Sequence, residues 1–256
     1  MKSIRAYEVG PPEVLRLEDV PDPAPGPGEA LVDIKVSGVN FTDVSSRRGS
    51  NPPASLPWTP GREAAGVVAA VGEGVDEARV GERVIVRNLL RTYVDYRPFE
   101  CWTIGSECDG GFAQFVAVPA RETHAVYSDW SDVELASIPC AYSTAENMLH
   151  RAGVGAERVL ITGASGGVGS AAVQLAKRRG AHVIALSSAA KADDVRTLGA
   201  DEILDRDANL AGELGEGSVD VVVDLVAGPQ WPSFLEMLRR GGRYAVSGAI
   251  AGPLSE

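Results

Sequence analysis

The chain of 256 residues is poor in cysteine, and its three cysteines, Cys101, Cys108 and Cys140, form no C-x-x-C pair. An odd number of thiols without such a motif is typical of reduced, intracellular proteins, so we expect a cytoplasmic protein. No apolar run is long enough for a membrane span, and Met1 to Arg5 lead directly into a predicted strand rather than forming a signal peptide. We therefore expect no membrane partner.

Basic residues are also scarce: 24 Lys and Arg against 35 Asp and Glu give a formal net charge of −11. The sequence has no basic cluster, which excludes nucleic acid and anionic membrane surfaces as expected partners. It also has no internal repeat. The hydrophobic content of 45% is sufficient for one large domain or two medium ones.

A glycine-rich stretch between residues 159 and 177 has the pattern strand, loop, helix. Residues 159–161 form an apolar run, and the apolar residues after the loop recur at helical spacing. Such a loop directs free backbone N–H groups and the positive end of a helix at a phosphate. The candidate cofactor-binding residues are Gly163, Ala164, Ser165, Gly166, Gly167, Val168 and Gly169, with Ala164 where the first glycine of G-x-G-x-x-G is expected.

Further apolar runs at 183–186, 219–226 and 244–246 alternate with helical segments. This alternation predicts a parallel sheet with right-handed crossovers. Val226, which ends the run 219–226, and Gly248, which follows the run 244–246, are further candidate contacts to a dinucleotide.

The residues after the second strand indicate which dinucleotide is bound. An Asp or Glu for the ribose is expected there, about 20 residues after the glycines, but the sequence offers Ser187, Ser188 and Lys191 and no carboxylate. Two hydroxyls and an ammonium group suit an additional 2′-phosphate. We therefore predict NADPH, with Arg196 as a weaker candidate for the same phosphate. The alternative for Lys191 is an ordinary solvated lysine at the start of a helix.

The first 125 residues predict a mostly β domain. Val32, Ile34 and Val36 alternate with polar neighbours in a run over 31–39, and further strands are expected at 65–71, 83–86 and 112–118. Short strands of this kind indicate a small barrel. For the long, poorly periodic segment 87–111 we expect a mini-core formed by its larger side chains, which are Tyr93, Tyr96, Phe99, Cys101, Trp102 and Cys108.

Two S-x-x-E patterns follow, at Ser131–Glu134 and Ser143–Glu146, and each predicts a capping box. The second helix is expected from about 144 to 151. We assign residues 1–125 to the first domain, and residues 126–256 to the linking helices and the dinucleotide-binding domain.

Five motifs then occur in the order of a known family. They are Gly-Val-Asn-Phe-Thr-Asp (38–43), Pro-Gly-Arg-Glu-Ala-Ala-Gly-Val-Val (60–68), Gly-Glu-Arg-Val (81–84), Gly-Gly-Phe-Ala-Gln-Phe (110–115) and the glycine loop. Over essentially its whole length the chain resembles the medium-chain dehydrogenase/reductase superfamily. The resemblance implies an α/β protein in which a GroES-like β-barrel domain precedes a Rossmann doubly wound parallel sheet, with the active site in the cleft between them.

The residues at the zinc positions depart from the zinc-dependent branch of that superfamily. Asn40 and Arg62 stand where that branch has a Cys and a His, and only Cys140 survives as a potential ligand. A catalytic zinc needs three protein ligands, so we expect none. A structural zinc with four Cys is not expected either. An unorthodox metal site of Asp43, Glu63 and Cys140 stays open, with Cys140 as the weak candidate ligand.

The Asn40 pattern, the glycine loop and the Ser/Lys end resemble the quinone-oxidoreductase-like branch, which implies metal-free hydride transfer from NADPH to a conjugated carbonyl. Asn40 is then the candidate donor to the substrate oxygen, Thr144 contacts the nicotinamide, and Asp43 holds the loop. Some relatives carry a proton-donating Tyr after an Arg-x-Gly turn, but this chain does not, which makes Tyr142 the alternative. Phe41, Trp58 and Tyr142 indicate an apolar cleft for a small-molecule electrophile.

The family continues with one more Rossmann strand, which usually pairs across a dimer. We therefore expect that the sequence is truncated and that the full-length protein is a homodimer. Two alternative functions remain, a zinc-dependent alcohol dehydrogenase and a non-catalytic nucleotide-binding partner protein.

Overall fold

The computed structural model describes residues 1–94 and 97–252, and for 91–94 and 97–101 it describes the backbone alone. The chain forms two compact units that divide between Cys140 and Ala141. This division lies inside the linking helices that the sequence analysis assigned to the second domain.

Among the described residues, nine strands and two α-helices lie wholly in the first unit. They are β1 (Lys2–Ala6), β2 (Leu15–Asp19), β3 (Glu29–Val36), α1 (Phe41–Arg48), β4 (Ala64–Val71), β5 (Arg83–Val86), β6 (Leu89–Val94), β7 (Arg97–Thr103), β8 (Phe115–Pro119), β9 (Thr123–Ala125) and α2 (Asp132–Ala136). Strands β8-β3-β4-β5-β9 form an antiparallel sheet, and β1-β2 and β6-β7 are separate two-stranded pairs. This arrangement confirms the predicted β domain.

The alternation in β3 produces the core of the first unit. Val32 is fully buried and Ile34 is partly buried against the same apolar cluster, while Lys35 is exposed. Val68 of β4, Val84 of β5 and Val116 of β8 belong to the same cluster. One apolar and one polar face is what an antiparallel sheet with one solvated side requires.

The segment 87–111, predicted to be irregular, contains the hairpin of β6 and β7. The aromatic mini-core is not testable at Tyr93, Phe99 and Cys101, whose side chains are outside the described set, nor at Tyr96, which lies outside the described residues. The buried residues Leu90 and Ile104 lie at the open end of the hairpin, at the start of β6 and directly after β7.

The first predicted capping box is confirmed and the second is wrong. At the start of α2 the Ser131 hydroxyl accepts from the Glu134 N–H, and the Glu134 carboxylate accepts from the Ser131 N–H. Helix α3 instead spans Pro139–Arg151, so Ser143 and Glu146 lie within it. Proline is favoured at the first helical position because its fixed φ suits the helix and its missing N–H costs nothing there.

The remaining elements belong to the second unit. They are β10 (Arg158–Ile161), α4 (Gly167–Arg178), β11 (His182–Ser187), α5 (Ala192–Thr197), β12 (Glu202–Asp205), α6 (Leu210–Leu214), β13 (Val219–Asp224), α7 (Trp231–Glu236) and β14 (Leu238–Val246). The strands form one parallel sheet in the order β12-β11-β10-β13-β14. The predicted parallel sheet is confirmed, and β12 is a strand that the apolar runs did not reveal.

Both faces of this sheet are covered. In β10, Val159 and Ile161 pack into one apolar cluster with α4, and Leu160 packs into another with Phe234 of α7. A parallel strand buried on both faces is a continuous apolar run, which is why the sequence marked β10, β11 and β13 so clearly. Across the described residues, no helix is both long and apolar enough to span a membrane.

Candidate functional site

The glycine loop is a tight turn between β10 and α4. Gly163 has φ +57°, a left-handed conformation that glycine adopts without strain. The Gly166 N–H donates to the Gly163 carbonyl at 3.0 Å, and the Ala164 N–H donates to the Leu186 carbonyl at 3.2 Å. The loop is thereby fastened to the end of β11.

The glycines of this loop have different physical roles. A Cβ on Gly169 would lie 2.1 Å from the Gly163 carbonyl oxygen, so this glycine lets α4 pack against the loop. A Cβ on Gly166 or Gly167 would meet no described protein atom closer than 3.4 Å or 3.7 Å, respectively. Protein packing does not explain these two glycines, whereas close approach of a diphosphate to the start of α4 does.

Other predicted cofactor contacts lie beside the loop, at the carboxyl edge of the sheet. The Cγ2 of Val226 would lie 3.2 Å from a Cβ on Gly163, and a Cβ on Gly248 would lie 2.9 Å from the Leu225 carbonyl oxygen. Gly163, Val226 and Gly248 thus share one neighbourhood where β10, β13 and β14 end. The carboxyl ends of the strands are where open α/β sheets bind their ligands.

The end of β11 carries the predicted phosphate-binding residues. Ser187 is 4% exposed, and its hydroxyl has no hydrogen-bond partner among the described residues. A buried hydroxyl without a partner costs about 1–3 kcal/mol, which an acceptor on a ligand would offset. Ser188 is partly exposed and Lys191 is exposed. Arg196, the weaker candidate, pairs instead with Asp193 at 2.6 Å.

A carboxylate that the sequence analysis did not consider lies on the neighbouring strand. Asp205 ends β12 and is the register partner of Ser187. Its Oδ1 accepts from the Asp207 N–H at 3.0 Å, within the turn that follows β12. Asp205 lies beside Ser187 because β12 pairs with β11, a pairing that the apolar runs of the sequence did not predict.

A second feature missed by the sequence analysis is the buried carboxylate of Asp224 at the end of β13. Asp224 is fully buried, and its Oδ1 accepts from the Thr162 hydroxyl at 2.6 Å and from the N–H groups of Val226 and Ala227 at 2.9 and 3.1 Å. Its Oδ2 accepts from the Tyr244 hydroxyl, and burial together with this bond raises the pKa of Tyr244. One side chain thus ties together the ends of β10, β13 and β14. The signal was an Asp closing an apolar strand, where only a fully bonded carboxylate is tolerated.

A cavity of about 500 Å³ lies between α3 and β14 in the second unit. Its walls include Thr144 and Arg151 from α3 and Arg243, Val246 and Ser247 from the last strand and its end. Thr144, the predicted nicotinamide contact, is one of the residues that line this cavity, and its role stays a prediction.

Tyr142 occupies a more enclosed position on α3. It packs against the apolar cluster shared by α4 and β10, and its hydroxyl oxygen accepts from Gln174 Nε2 at 2.9 Å. The phenolic proton itself is not used by that bond. The predicted role of Tyr142 as a proton donor stays a prediction.

In the first unit, Asp43 holds the loop before α1. Its Oδ2 accepts from the Asn40 N–H at 2.8 Å, and its Oδ1 accepts from the Gly61 N–H at 3.2 Å. Burial raises the pKa of Asp43, while these backbone donors and the nearby Arg62 charge act in the opposite direction.

The side chain of Asn40 is bonded to Glu63. Asn40 Nδ2 donates to Glu63 Oε1 at 2.7 Å, and the Cys140 N–H donates to Glu63 Oε2 at 2.8 Å. Glu63 is 3% exposed, and burial raises its pKa against the effect of these two donors.

Arg62 lies next to these groups in sequence and is 7% exposed. One of its terminal nitrogens donates to the Ser46 hydroxyl on α1 at 2.8 Å, and its Nε has no partner among the described residues. A buried guanidinium therefore stands at the position where the zinc-dependent branch has a histidine.

The Cys140 thiol is partly buried and lies near two carboxylates. Burial, followed by the charges of Glu63 and Asp43, raises the pKa of its thiol to about 12. The described residues contain no group of three or more His, Cys, Asp or Glu side chains placed for a metal ion. Asp43, Glu63 and Cys140, which the sequence analysis left open as a metal site, do not form such a group in the described part of the chain.

The predicted apolar lining needs one correction. Trp58 is 2% exposed and its Nε1 donates to the Gly105 carbonyl at 2.9 Å, so it belongs to the core. The exposed apolar side chains beside Asn40 are Val39 and Phe41, at 76% and 61%. Tryptophan is buried here because its N–H finds a partner.

Comparison with known proteins places these features in a family. The model of the alcohol dehydrogenase GroES-like domain matches residues 26–128, and the model named zinc-binding dehydrogenase matches residues 167–255. A quinone oxidoreductase of Sus scrofa is 34% identical over 99% of this chain and 74% of its own length. The chain belongs to the medium-chain dehydrogenase/reductase superfamily, in its quinone-oxidoreductase-like branch.

Solved structures of this superfamily are similar over the whole chain. An NAD-dependent alcohol dehydrogenase has a TM-score of 0.92 at 31% identity and matches 100% of this chain and 79% of its own. A mycobacterial protein complexed with NADPH has a TM-score of 0.83 at 33% identity and matches 100% of this chain and 76% of its own. The chain thus spans about three quarters of the length of these superfamily members.

Superfamily membership also assigns the two units. The first is the GroES-like domain, and the second is the Rossmann sheet with its glycine loop. The chain is an oxidoreductase of this superfamily, and its relatives support a nicotinamide cofactor.

Proposed function

We propose that this chain is an NADPH-dependent oxidoreductase that transfers a hydride to a conjugated carbonyl of the quinone, enone or enoyl type without a catalytic zinc. The observation that carries the choice of cofactor is the end of β11. There Ser187, whose buried hydroxyl has no hydrogen-bond partner in the described part of the chain, stands with Ser188 and Lys191 where a ribose-binding carboxylate is expected. The relative complexed with NADPH supports the same choice.

The described residues fit this cofactor. The open space at Gly166 and Gly167 admits a diphosphate close to the backbone N–H groups at the start of α4. Ser187, Ser188 and Lys191 would hold the 2′-phosphate, and Thr144 would contact the nicotinamide. When bound, NADPH supplies a hydride from C4 of its nicotinamide ring.

On the substrate side, Asn40 would stabilise the negative charge that develops on the carbonyl oxygen as the hydride adds to the conjugated carbon. Its amide has two N–H groups, of which one is used by Glu63. The second is the donor for the substrate. Asp43 would keep the loop in place, Tyr142 would supply the proton, and the exposed Val39 and Phe41 would favour an apolar substrate.

We propose a reaction without zinc because of the residues that stand at the zinc-ligand positions of the zinc-dependent branch. Asn40 and Arg62 cannot replace a thiolate and an imidazole, so Cys140 is the one ligand type kept at these three positions, and a catalytic zinc needs three protein ligands. We further propose that the protein is a cytoplasmic homodimer, in line with the resemblance and with the low cysteine content.

A parallel titration with NADPH and NADH tests the proposal, with the fluorescence of the four tryptophans and of the nicotinamide as the signal. We expect a strong preference for NADPH, and a fall in that preference of roughly 10- to 100-fold in Lys191→Ala, because one charge-assisted contact to the phosphate is lost. Lys35→Ala, which removes a surface ammonium paired with Asp33 in the first unit, is the matched control. Equal affinities in the parent protein, or an unchanged preference in Lys191→Ala, would refute the phosphate assignment.

A turnover screen with quinones, enones and enoyl thioesters then tests the reaction. A zinc-dependent alcohol dehydrogenase remains the second candidate, because an NAD-dependent alcohol dehydrogenase is so similar in structure and because Cys140 is retained. Stoichiometric zinc in the purified protein, together with alcohol oxidation, would favour it. Tight cofactor binding without any turnover would instead indicate a nucleotide-binding partner protein.

A further inference from the structure

Glu63 is a buried residue of the first unit that has no role in the proposed reaction. Its carboxylate is buried and both of its oxygens are occupied by donors, Asn40 Nδ2 at 2.7 Å and the Cys140 N–H at 2.8 Å. The Cys140 N–H is one of the orphan donors in the first turn of α3. Glu63 therefore connects the start of one helix with the side chain just before another.

The main chain of Glu63 is also fixed. The Ser37 hydroxyl donates to the Glu63 carbonyl at 2.6 Å. A Cβ on Gly38 would lie 2.2 Å from Glu63 Oε1, so the absence of a side chain at position 38 makes room for the carboxylate. Sequence and packing thus combine to place this one oxygen beside the Asn40 amide.

An asparagine amide can rotate by half a turn, which exchanges its donor and acceptor ends. An ionised carboxylate only accepts hydrogen bonds, so it bonds the NH₂ end and repels the carbonyl end. The backbone of Asn40 is held separately by Asp43. The start of α1 is also a capping box in which the Asn40 side chain accepts from the Asp43 N–H, so this contact and the bond to Glu63 favour the same orientation of the amide.

We infer that Glu63 is a positioning residue that locks the Asn40 amide in the orientation leaving its second N–H for the substrate oxygen. The inference rests on the proposed function of Asn40. Glu63 itself touches no reacting atom. Its contribution arises because a donor aimed in advance at a developing charge avoids reorganisation during the reaction.

Glu63→Gln tests this assignment with little change in volume. A glutamine has one acceptor oxygen for two donors, so it loses either the Asn40 bond or the Cys140 bond and places an N–H against the other donor. We expect kcat to fall by roughly 10- to 100-fold, the range for a weakened oxyanion donor, while the Kd of NADPH is unchanged. Ser37→Ala is the matched control, because it removes a bond to the Glu63 main chain and leaves the carboxylate in place.

A double-mutant cycle separates positioning from a merely structural role. If Glu63 acts through Asn40, kcat of Asn40→Ala with Glu63→Gln will equal that of Asn40→Ala alone. Independent, multiplicative losses would overturn the assignment, as would a Glu63→Gln variant with a lower midpoint of thermal unfolding and an unchanged kcat.

A spectroscopic readout keeps the test independent of turnover. The Asn40 side-chain amide signals, assigned by their loss in Asn40→Ala, should shift in Glu63→Gln and stay in place in Ser37→Ala. If Glu63→Gln does not fold, Gly38→Ala retains the charge but forces Oε1 away from the new methyl group, and the same shift is expected. Unshifted amide signals would refute the locking of Asn40. A parent protein that turns over no quinone or enone would refute the proposed function without affecting this result.

Discussion

Two glycines of one loop should respond in opposite ways to the same added methyl group. In Gly169→Ala the new Cβ would lie 2.1 Å from the Gly163 carbonyl oxygen and 2.7 Å from the Ala164 Cα, and ordinary contact begins at 3.4 Å. Backbone atoms must therefore move by more than 1 Å. In Gly167→Ala the nearest atom is the Ala141 Cβ at 3.7 Å, so nothing in the protein has to move.

The expected energies follow from these distances. Overpacking costs about 1–3 kcal/mol, and more when the obstacle is backbone, while alanine gains at most about 1 kcal/mol over glycine in a helix. Gly169→Ala should therefore unfold several degrees below the parent protein. Gly167→Ala should be as stable as the parent or slightly more stable, but should bind NADPH at least about tenfold more weakly, or about 1.4 kcal/mol, because its methyl group occupies the space of the diphosphate.

Thermal unfolding without cofactor and fluorescence titration with NADPH measure the two effects separately. Parent-like stability of Gly169→Ala would refute the packing of α4 on the loop. Parent-like affinity of Gly167→Ala would refute the approach of the diphosphate at this position. A Gly167→Ala variant that loses stability and affinity together would show that the space is not open.

Further predictions concern the buried polar groups. Asp224→Asn should lower the free energy of unfolding by about 2–3 kcal/mol, because an amide cannot accept all the donors at that site, and Tyr244→Phe should lower it by about 1 kcal/mol; urea unfolding measures both. Burial raises the thiol pKa to about 12 for Cys140 and to about 11 for Cys108. The rate at which both thiols are alkylated, measured by mass spectrometry, should therefore keep rising above pH 9, where the rate for a free thiol levels off. A thiol whose pKa is higher in the folded than in the unfolded state stabilises the protein fully at any pH below the unfolded pKa. The contribution of Cys140 to the free energy of unfolding should therefore be lost as the pH rises from about 9 to about 12. Rates that level off near pH 9 would contradict the burial of these thiols.

Much of the fold was predictable because it follows from local patterns. The strands β10, β11 and β13 are short apolar runs buried on both faces, and the helical face that includes Ala171 and Ala172 packs on them. The same holds for β3, where alternation alone separated buried from solvated residues. The spacing of apolar residues and the composition predict these strands and helices without knowledge of the elements against which they pack.

The failures have a common physical origin in competing or long-range interactions. Ser143 and Glu146 fit a capping box, but Pro139 begins the helix a turn earlier, so the motif lies in its interior. Trp58 has the chemistry of a cleft residue, yet the Gly105 carbonyl, distant in sequence, satisfies its N–H in the core.

In the candidate site, too, local patterns were predictable and long-range contacts were not. The glycine loop was recognisable because its function depends on consecutive residues. The Asp224 network and the bond between Asn40 and Glu63 join residues separated by up to 62 and 23 positions, and no local pattern marks such pairs. Residue types were readable from the sequence, but their mutual orientation was not.

Because Gly38 lies so close to the Glu63 carboxylate, the side-chain size allowed at either position depends on the size at the other. A side chain can enter position 38 only if the one at position 63 becomes shorter or turns away, and turning away releases the Asn40 amide. Across related sequences the two positions should therefore change together. In directed evolution, a library randomised at position 38 alone will return glycine, whereas access to new substrate orientations requires both codons to vary at once.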